Sequence, residues 1–571
     1  MNRFSLLTIA IIFLSSIAFA QNDTINTKSK KDKKDREISW GTIHGNFGLD
    51  AQYYNNDSLI GAPNVPDKFR ANGFLNLVYT NGNFSAGLRY EMYLPKPLLG
   101  FDSRYEGQGL PFRYASYKIA GLEVTAGSFY EQFGNGLILR FYEERALGFD
   151  NFLDGFRAKY TPYKGIHLTG LIGKQRYFWG HGAGLIKGLD GEVNFSEIFD
   201  KLQKKKISLI LGGSFVSKYQ DDQEIPNPDN PNQLLKLPLN VGAWAGRLTF
   251  GIGRFLLNSE FAYKINDPNR TNQFIYRPGS AFYLSASYAQ KGLGITVQAK
   301  RIENFDFRSD RNETGNALMM NFIPMLNKQH TYMLAATVYP YAVQANGEFG
   351  LQADINYTTP KWLAKKYPTQ FNINFSMVNA LDTNLTGDRY GYQTDVFGFG
   401  RRLYMDANIE ISQKVSKAVK FNIMYMYMFI DRNLVQGFGY SPREIHSHIV
   451  VADVSYRFKP KHTLRFEFQT LQTKQEMDHL GDRVNGSWIM GLIEYTFSPY
   501  LFASIMDQWN YGNPTADYRI HYITGTIGYN FKSTRISLSY GRQREGIVCI
   551  GGVCRQVPAS NGLTLSIMSS F

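Results

Sequence analysis

The sequence predicts an all-β protein, folded as a transmembrane, antiparallel, up-and-down β-barrel of about 26 strands, in the range of about 24 to 26. Three observations predict this fold. A secretory signal opens the chain, polar and apolar residues alternate over long segments, and the last residue is the aromatic Phe571. The composition agrees, since 37 Tyr, 42 Phe and 53 Gly accompany a mean hydropathy of only -0.30. This is an aromatic-rich β composition with a polar average.

Residues 1–20 have the pattern of a cleaved signal peptide. Arg3 precedes an apolar run, residues 6–17, and the small-x-small sequence of residues 18–20 stands just before Gln21. The alternative, an anchor that stays in the inner membrane, is disfavoured because a spanning helix needs about 20 apolar residues. The mature protein is therefore expected outside the cytoplasm, which excludes nucleic acid as a partner.

Residues 21–37 are predicted to form a disordered basic periplasmic tail, followed by a single barrel over residues 38–571. The tail is rich in cations and has no apolar anchor: Lys28, Lys30, Lys31, Lys33, Lys34 and Arg36. A solvated linker is one reading of this segment. Contact with an anionic partner or with lipid headgroups is the other.

Residues 369–377 illustrate the alternation. The polar members are Gln370, Asn372, Asn374 and Ser376, and the apolar members are Phe371, Ile373, Phe375 and Met377. Such a period of two places the polar residues on one face of a strand and the apolar residues on the other. Soluble sandwiches alternate as well. The strands here run about 9 to 14 residues, and tight turns alternate with longer polar loops, which favours a membrane barrel.

The short turns set the strand number. Gly, Pro and Asn mark about twelve of them, assigned to the periplasmic side: residues 80–83, 120–121, 161–165, 197–206, 251–253, 290–292, 324–329, 360–367, 414–418, 459–461, 498–499 and 530–533. About twelve turns join about thirteen hairpins, with both chain ends in the periplasm and long loops outside. Alternation is poorest in the strands predicted around residues 185–195 and 317–322.

The final strand resembles the C-terminal strand that outer-membrane assembly machineries recognise. One face carries Leu563, Leu565, Ile567, Ser569 and Phe571. We take Leu565, Ile567 and Phe571 as the candidate assembly signal.

Charged side chains are predicted to face the lumen. Six are basic and eight acidic: Arg89, Lys264, Lys300, Arg457, Arg465 and Arg535, and Glu91, Glu260, Asp354, Asp406, Glu410, Asp453, Glu467 and Glu494. The net charge of +14 therefore does not imply a basic pore. Mixed charges can line water or pair across a filled interior, and the sequence leaves both states open.

A barrel of about 26 strands would leak unless something plugs it. Residues 101–111, 131–151 and 381–401 are the candidate plugs. In the second, we predict an ion-pair cluster of Arg140, Glu143, Glu144 and Arg145 that braces a loop or constriction, in preference to a substrate site.

The two cysteines, Cys549 and Cys554, are predicted to form a disulfide in the exported protein. His446 and His448 share a strand face, but the sequence offers no third metal ligand. No Ser nucleophile elbow, zinc-binding motif or phosphate loop is present. We therefore expect no enzymatic activity, no metal and no cofactor.

Four segments carry a family resemblance: residues 41–47, 129–134, 142–145 and 148–151. With them the chain resembles an outer-membrane family of the Bacteroidota that is defined only as a domain of unknown function. The resemblance implies a barrel in the cell outer membrane and brings no activity or site residues.

Two functions remain from the sequence. The first is porin-like or substrate-selective transport; the second is a non-conducting accessory or scaffold barrel of an outer-membrane complex. The expected partners are outer-membrane lipid, the assembly machinery and surface lipoproteins.

Overall fold

The computed structural model describes residues 40–227, 230–360, 366–437, 441–475, 482–550 and 553–571. The predicted signal peptide and basic tail, residues 1–20 and 21–37, lie outside this part of the chain. Residues Thr42–Phe571 form one compact unit, which is the barrel.

Twenty-four strands form the barrel wall. The first twelve are β1 (Thr42–Asn55), β2 (Phe69–Asn81), β3 (Phe84–Leu94), β4 (Gly107–Ile119), β5 (Leu122–Phe129), β6 (Leu153–Tyr163), β7 (Ile166–Tyr177), β8 (Gly180–Asn194), β9 (Ile207–Tyr219), β10 (Asn240–Ile252), β11 (Phe255–Lys264) and β12 (Gly279–Gln290). The second twelve are β13 (Leu293–Glu303), β14 (Gly347–Thr358), β15 (Gln370–Leu381), β16 (Phe399–Lys414), β17 (Val419–Asp431), β18 (Glu444–Lys459), β19 (His462–Gln475), β20 (Trp488–Phe497), β21 (Leu501–Trp509), β22 (His521–Phe531), β23 (Thr534–Gln543) and β24 (Ser560–Ser570).

Every wall strand pairs antiparallel with its neighbours in the chain, from β1 with β2 to β23 with β24. The ring closes between β1 and β24, where Leu49 lies opposite Ile567. Closure pairs the backbone groups of the first strand with those of the last, as a lipid environment requires. The predicted antiparallel up-and-down barrel is confirmed, with 24 strands.

One predicted hairpin is wrong. Residues 324–329 are not a turn between wall strands, and residues 317–322 are not a wall strand; both lie in the connection between β13 and β14. The other predicted turns coincide with links between neighbouring strands, at the end of the barrel where Thr42 and Phe571 also lie. Of the predicted turn at 360–367, residues 361–365 lie outside the described part of the chain. Residues 185–195 do lie in the wall, almost entirely within β8.

Short helices and small hairpins lie within the connections between the wall strands. The helices are α1 (Phe195–Ile198), α2 (Asp200–Lys204), α3 (Met333–Thr337) and α4 (Arg432–Gln436), with 3-10 turns at Ser103–Tyr105, Arg145–Leu147, Arg270–Asn272 and Ala516–Tyr518. Short strand pairs join Glu143–Glu144 to Phe149–Asp150, Pro226–Asn227 to Asn230–Leu234, Asn384–Leu385 to Tyr392–Gln393, and Gly546–Ile550 to Val553–Val557. In the described chain, no helix is long and apolar enough to span a membrane.

The two faces of the wall differ as the alternation predicts. In β15, the apolar side chains of Ile373 and Phe375 are each 41% exposed on the outside, whereas Asn374 and Ser376 are buried inside. A continuous outward layer of Ile, Leu, Val, Phe and Tyr repeats this arrangement around the ring. Closed barrels with such an exterior span outer membranes, with short turns on the periplasmic side and longer loops outside. The protein is therefore an outer-membrane barrel surrounded by lipid.

The buried core lies inside the barrel. One apolar cluster joins inward residues of the wall, such as Ile186 and Val216, to Phe133 and Phe307 from connecting segments. A second joins Met426 and Trp488 of the wall to other residues of the β13–β14 connection. The lumen therefore has a packed interior instead of an unobstructed bore.

Candidate functional site: the plugged lumen

The connection between β13 and β14, residues 304–346, fills the lumen, and we call it the plug. Phe305, Met320, Leu326, Leu334 and Tyr339 are among its side chains that are buried against the wall. This segment was not among the plugs predicted from the sequence. Its residues lack the period-two pattern, and that absence over so long a stretch is the signal that could have identified it.

The three predicted plugs have different locations. Residues 131–151 pack beside the plug, with Phe133 and Leu139 in the same apolar cluster. Residues 101–106 instead line a cleft at the loop end of the barrel, and residues 107–111 belong to β4. Most of the loop between β15 and β16 faces outward, since Leu385 is 86% and Phe397 81% exposed, while the Tyr392 hydroxyl donates to the carbonyl of Asn346 at the end of the plug at 3.4 Å. Residues 101–111 and 381–401 therefore do not fill the lumen.

Lys300 of β13 anchors the middle of the plug. Its Nζ lies 2.5 Å from Oε1 of Glu348 in β14, and both side chains are fully buried. The same ammonium donates to the carbonyl of Pro324 at 2.7 Å, and the Tyr341 hydroxyl donates to Glu348. Because a buried charge is tolerated only when it is paired and hydrogen-bonded, this triad fixes the plug against two adjacent strands.

A second anchor lies between β9 and β11. Nζ of Lys218 is 2.9 Å and Nζ of Lys264 is 3.4 Å from the carboxylate of Asp267, and Lys264 also donates to the carbonyl of Asp306 in the plug at 2.5 Å. Burial alone would raise the pKa of Asp267, but the two ammonium groups hold it below its usual value. The carboxylate is therefore charged and completes the pair.

The predicted ion-pair cluster is only partly assembled. Glu143 lies 2.6 Å from Nε of Arg145 and 3.1 Å from Nη1 of the wall residue Arg89. Arg140 lies apart from this pair, with its guanidinium 3.9 Å from the ring centroid of Phe322 in the plug. Glu144 pairs through its backbone with Phe149.

Wall residues complete this network, among them Arg89 and Glu91, which the sequence placed in the lumen. Arg89 and Arg176 both contact the carboxylates of Glu91 and Asp150, and all four side chains are nearly inaccessible to solvent. The Tyr130 hydroxyl donates to Asp150 at 2.8 Å. The network links the β5–β6 connection to β3 and β7 and so holds this connection in place against the wall.

The two paired strands Gly546–Ile550 and Val553–Val557, which we call the cap, cover the plug at the loop end. Cys549 and Cys554 form a disulfide within it. Val548 packs on Leu147 and Phe149, and Asn316 of the plug donates to the carbonyl of Cys554 at 2.5 Å. The cap thus links the outer face of the plug to the β5–β6 connection.

The candidate assembly residues lie at the seam. In β24, Leu565 lies opposite Ala51 and Ile567 opposite Leu49 of β1. Phe571 follows β24; its N–H donates to the carbonyl of Gly45 at 3.0 Å, and its side chain is half exposed. These three residues therefore lie where the ring is closed.

A polar vestibule of about 590 Å³ remains below the plug at the turn end. Lys328, at the tip of the plug, donates to Oδ1 of Asn408 at 3.3 Å and to Oε2 of Glu410 at 3.2 Å, and also to Asn372. Nearby, neither ring nitrogen of His330 has a hydrogen-bond partner among the described residues. Burial, with Lys328 as the second cause, lowers the pKa of His330 to about 4.

On the opposite side, the wall from β21 to β24 and β1 presents small polar side chains inward. They are only partly buried, and we call them the polar strip: Gln52, Ser504, Thr524, Thr526, Ser537, Ser539, Thr564 and Ser566. A cavity of about 330 Å³ separates part of this strip from the plug. The plug therefore packs unevenly, tightly on one side of the ring and loosely on the other.

The histidine pair lies on the outer face. The Tyr427 hydroxyl is 2.9 Å from Nδ1 of His446, and the Tyr425 hydroxyl is 2.9 Å from Nδ1 of His448. In the part of the chain that the structure describes, no group of three or more His, Cys, Asp or Glu residues can hold a metal ion.

The model of a family described as "Family of unknown function (DUF6029)" matches residues 1–571. No curated protein matches the chain. Among solved structures, it is similar to the translocation pore of the P pilus usher PapC, with a TM-score of 0.44 and 10% identity, over 93% of this chain and 100% of that one. It is also similar to OccAB3 of Acinetobacter baumannii (TM-score 0.33, 9% identity, 93% and 99% coverage) and to OccD3 of Pseudomonas aeruginosa (TM-score 0.35, 12% identity, 80% and 90% coverage).

Proposed function

The chain belongs to DUF6029, a family of unknown function, and we propose that it is a substrate-selective transport protein of the outer membrane, closed by its own plug. It acts without enzymatic chemistry. The observation that carries the proposal is the uneven packing of the lumen. Residues 304–346 fill most of the bore, while a vestibule of about 590 Å³ and a polar strip remain beside them.

The uneven packing favours transport because a purely structural barrel has no need of polar space along its wall. Hydroxyl and amide side chains on the strip, such as Ser539 and Thr564, can bind water or a polar solute. The plug would restrict this path to small solutes. The braces around Arg89 and Glu143 would keep the constriction narrow.

The alternative is a scaffold barrel that docks a surface lipoprotein, and one observation favours it. The loop between β15 and β16 exposes Leu385, Val396 and Phe397 at the end of the barrel opposite the turns, and each is more than 60% exposed. Exposed apolar side chains of this size are often part of protein interfaces.

Reconstitution separates the two functions. In a planar bilayer, the transport proposal predicts small discrete conductance steps, together with slow uptake of small polar solutes into liposomes. Persistent silence in both assays, with a fixed partner co-purifying in mild detergent, would overturn it in favour of the scaffold. Replacing Leu385, Val396 and Phe397 with Ser should release such a partner and leave transport unchanged.

We further propose that residues 1–20 are removed on export, that residues 21–37 form a periplasmic tail, and that Leu565, Ile567 and Phe571 are read by the assembly machinery. N-terminal sequencing of the mature protein tests the first point, with Gln21 as the expected first residue. For the last, Phe571→Ser should lower the amount of folded barrel in the outer membrane.

A further inference from the structure

The cavity of about 330 Å³ beside the polar strip is lined by both polar and apolar side chains. Gln508 of β21 and Ser539 of β23 line it from the barrel wall. Met333 of α3 lines it from the plug, and Val548 and Val557 of the cap line it as well. The space is thus mainly polar towards the wall, where Met506 of β21 is apolar, and mainly apolar towards the plug and the cap; the charged residues Arg542 and Glu545 line it as well.

Arg544, directly after β23, lines the cavity and is only 8% exposed. Its guanidinium donates to three neutral oxygens: Nε to Oε1 of Gln508 at 3.3 Å, Nη1 to the carbonyl of Glu545 at 3.2 Å, and Nη2 to the Thr337 hydroxyl. Among the described residues, no carboxylate oxygen lies within ion-pair distance of it. Since a guanidinium has five N–H donors, one remains on each terminal nitrogen.

Arg311 of the plug is likewise buried with only neutral oxygen partners, whereas three other buried cations of the lumen are paired with a carboxylate. Lys218, Lys300 and Arg89 each lie within 2.9 Å of a carboxylate oxygen. Burial lowers the pKa of Arg544 to about 10, and the longer-range interactions with Tyr522, Tyr339 and Glu545 oppose this shift only in part. A buried cation that lacks an anion is unfavourable, and an anion entering the adjacent cavity would relieve that penalty.

We propose that this cavity binds a small organic anion, with its carboxylate against Arg544 and its apolar part against Met333, Met506 and Val557. Two N–H groups on neighbouring terminal nitrogens match the two oxygens of a carboxylate. The apolar side of the cavity distinguishes such a ligand from an inorganic anion. That the bound anion is a transported substrate rests on the proposed function, because the cavity lies on the polar strip.

Binding is tested on the full-length barrel in detergent by isothermal titration calorimetry, with butyrate, its neutral analogue butyramide, and inorganic phosphate as probes. We expect butyrate to bind at least about 10-fold more tightly than butyramide, because hydrogen bonds to a charged group are the stronger ones. Arg544→Gln should abolish this difference, and Arg544→Lys should reduce it. The matched control is Arg247→Gln, since Arg247 is a lumen arginine already paired with Asp190 at 2.8 Å.

Equal affinity for butyrate and butyramide in the unmodified protein would overturn the site without any variant. Phosphate binding as tightly as butyrate would overturn the organic part of the assignment. Failure of the transport function is distinguishable from both, since butyrate binding without solute uptake by liposomes leaves the site standing and removes its role as a substrate site. Uptake by liposomes without butyrate binding would leave the transport function standing and remove the anion site.

Discussion

The barrel wall and the plug bury each other's surfaces but follow different sequence rules. In the wall, the strand backbone alone decides which way each side chain points. Phe375 faces lipid and Asn374 faces the lumen because they are adjacent in a strand. In the plug, the position of each residue depends on the side chains that the wall presents to it. Pro324 and Tyr341 are held by Lys300 and Glu348 of two neighbouring strands. A local period therefore predicts the wall, whereas its absence can show where the plug lies in the chain but not how the plug packs.

Removing the plug should have the largest effect. If residues 306–344 are replaced by a short Gly/Ser linker, the wall should still close, since its hydrogen bonds run between neighbouring strands. The bore of a 24-strand barrel would then be open. We expect single-channel conductance to rise by at least about tenfold, measured in planar bilayers.

Shortening the exposed loop between β15 and β16 is the control for plug removal. Residues 384–394 lie outside the packed lumen clusters, so their replacement should leave conductance as it was. A plug-less barrel that migrates as a folded species and conducts no more than the intact protein would refute the assignment of the plug.

The sequence predicted the fold through the wall and the site only in part. Alternation and turn residues determined the barrel and its closure, and they also placed Lys300 and Glu260 in the lumen. The pair Glu143 and Arg145 could be predicted because the two residues are close in the chain. The position of Arg140 could not, because its guanidinium lies between the rings of Tyr142 and Phe322, and Phe322 reaches it only through the folded plug.

Breaking a buried anchor should have the next largest effect. Lys300→Met leaves the carboxylate of Glu348 buried without its cation, which typically destabilises a protein by about 3 to 5 kcal/mol. We expect this loss of stability to weaken the docking of the plug. It should be seen as faster proteolysis within residues 304–346 and more frequent conductance openings. Adding Glu348→Leu should restore most of the lost stability, because the unpaired charge is then removed as well.

The exposed pair of Lys96 and Glu106 is the matched control for that anchor. Its atoms are 2.7 Å apart, but the side chains are 41% and 48% exposed. Lys96→Met should therefore change stability by less than about 1 kcal/mol. An equal response of the two pairs would mean that burial does not separate the plug anchors from surface pairs.

A charge on the lipid-facing side tests the wall itself. Phe375→Arg should destabilise the barrel by about 2 to 4 kcal/mol, the range for a cation near the bilayer midplane, measured by urea unfolding in lipid vesicles. Asn356→Arg, on the neighbouring strand but lining the vestibule, should have little effect because Asp354 is close by. A larger loss for the second variant would contradict the assignment of the faces.

The smallest expected effect is a pH dependence of the plug. Burial and Lys328 lower the pKa of His330 from 6.5 to about 4. Between these values a released plug binds a proton that the docked plug does not, so docking is fully stable above about pH 6.5 and weakens as the pH falls towards 4. At about 1.4 kcal/mol per pKa unit, the full change is about 3.5 kcal/mol, of which about 2 kcal/mol falls between pH 7 and pH 5. Conductance openings should therefore become more frequent between pH 7 and pH 5, and His330→Asn should remove that increase while Lys300→Met should retain it. An unchanged pH response in His330→Asn would assign the titration to another group.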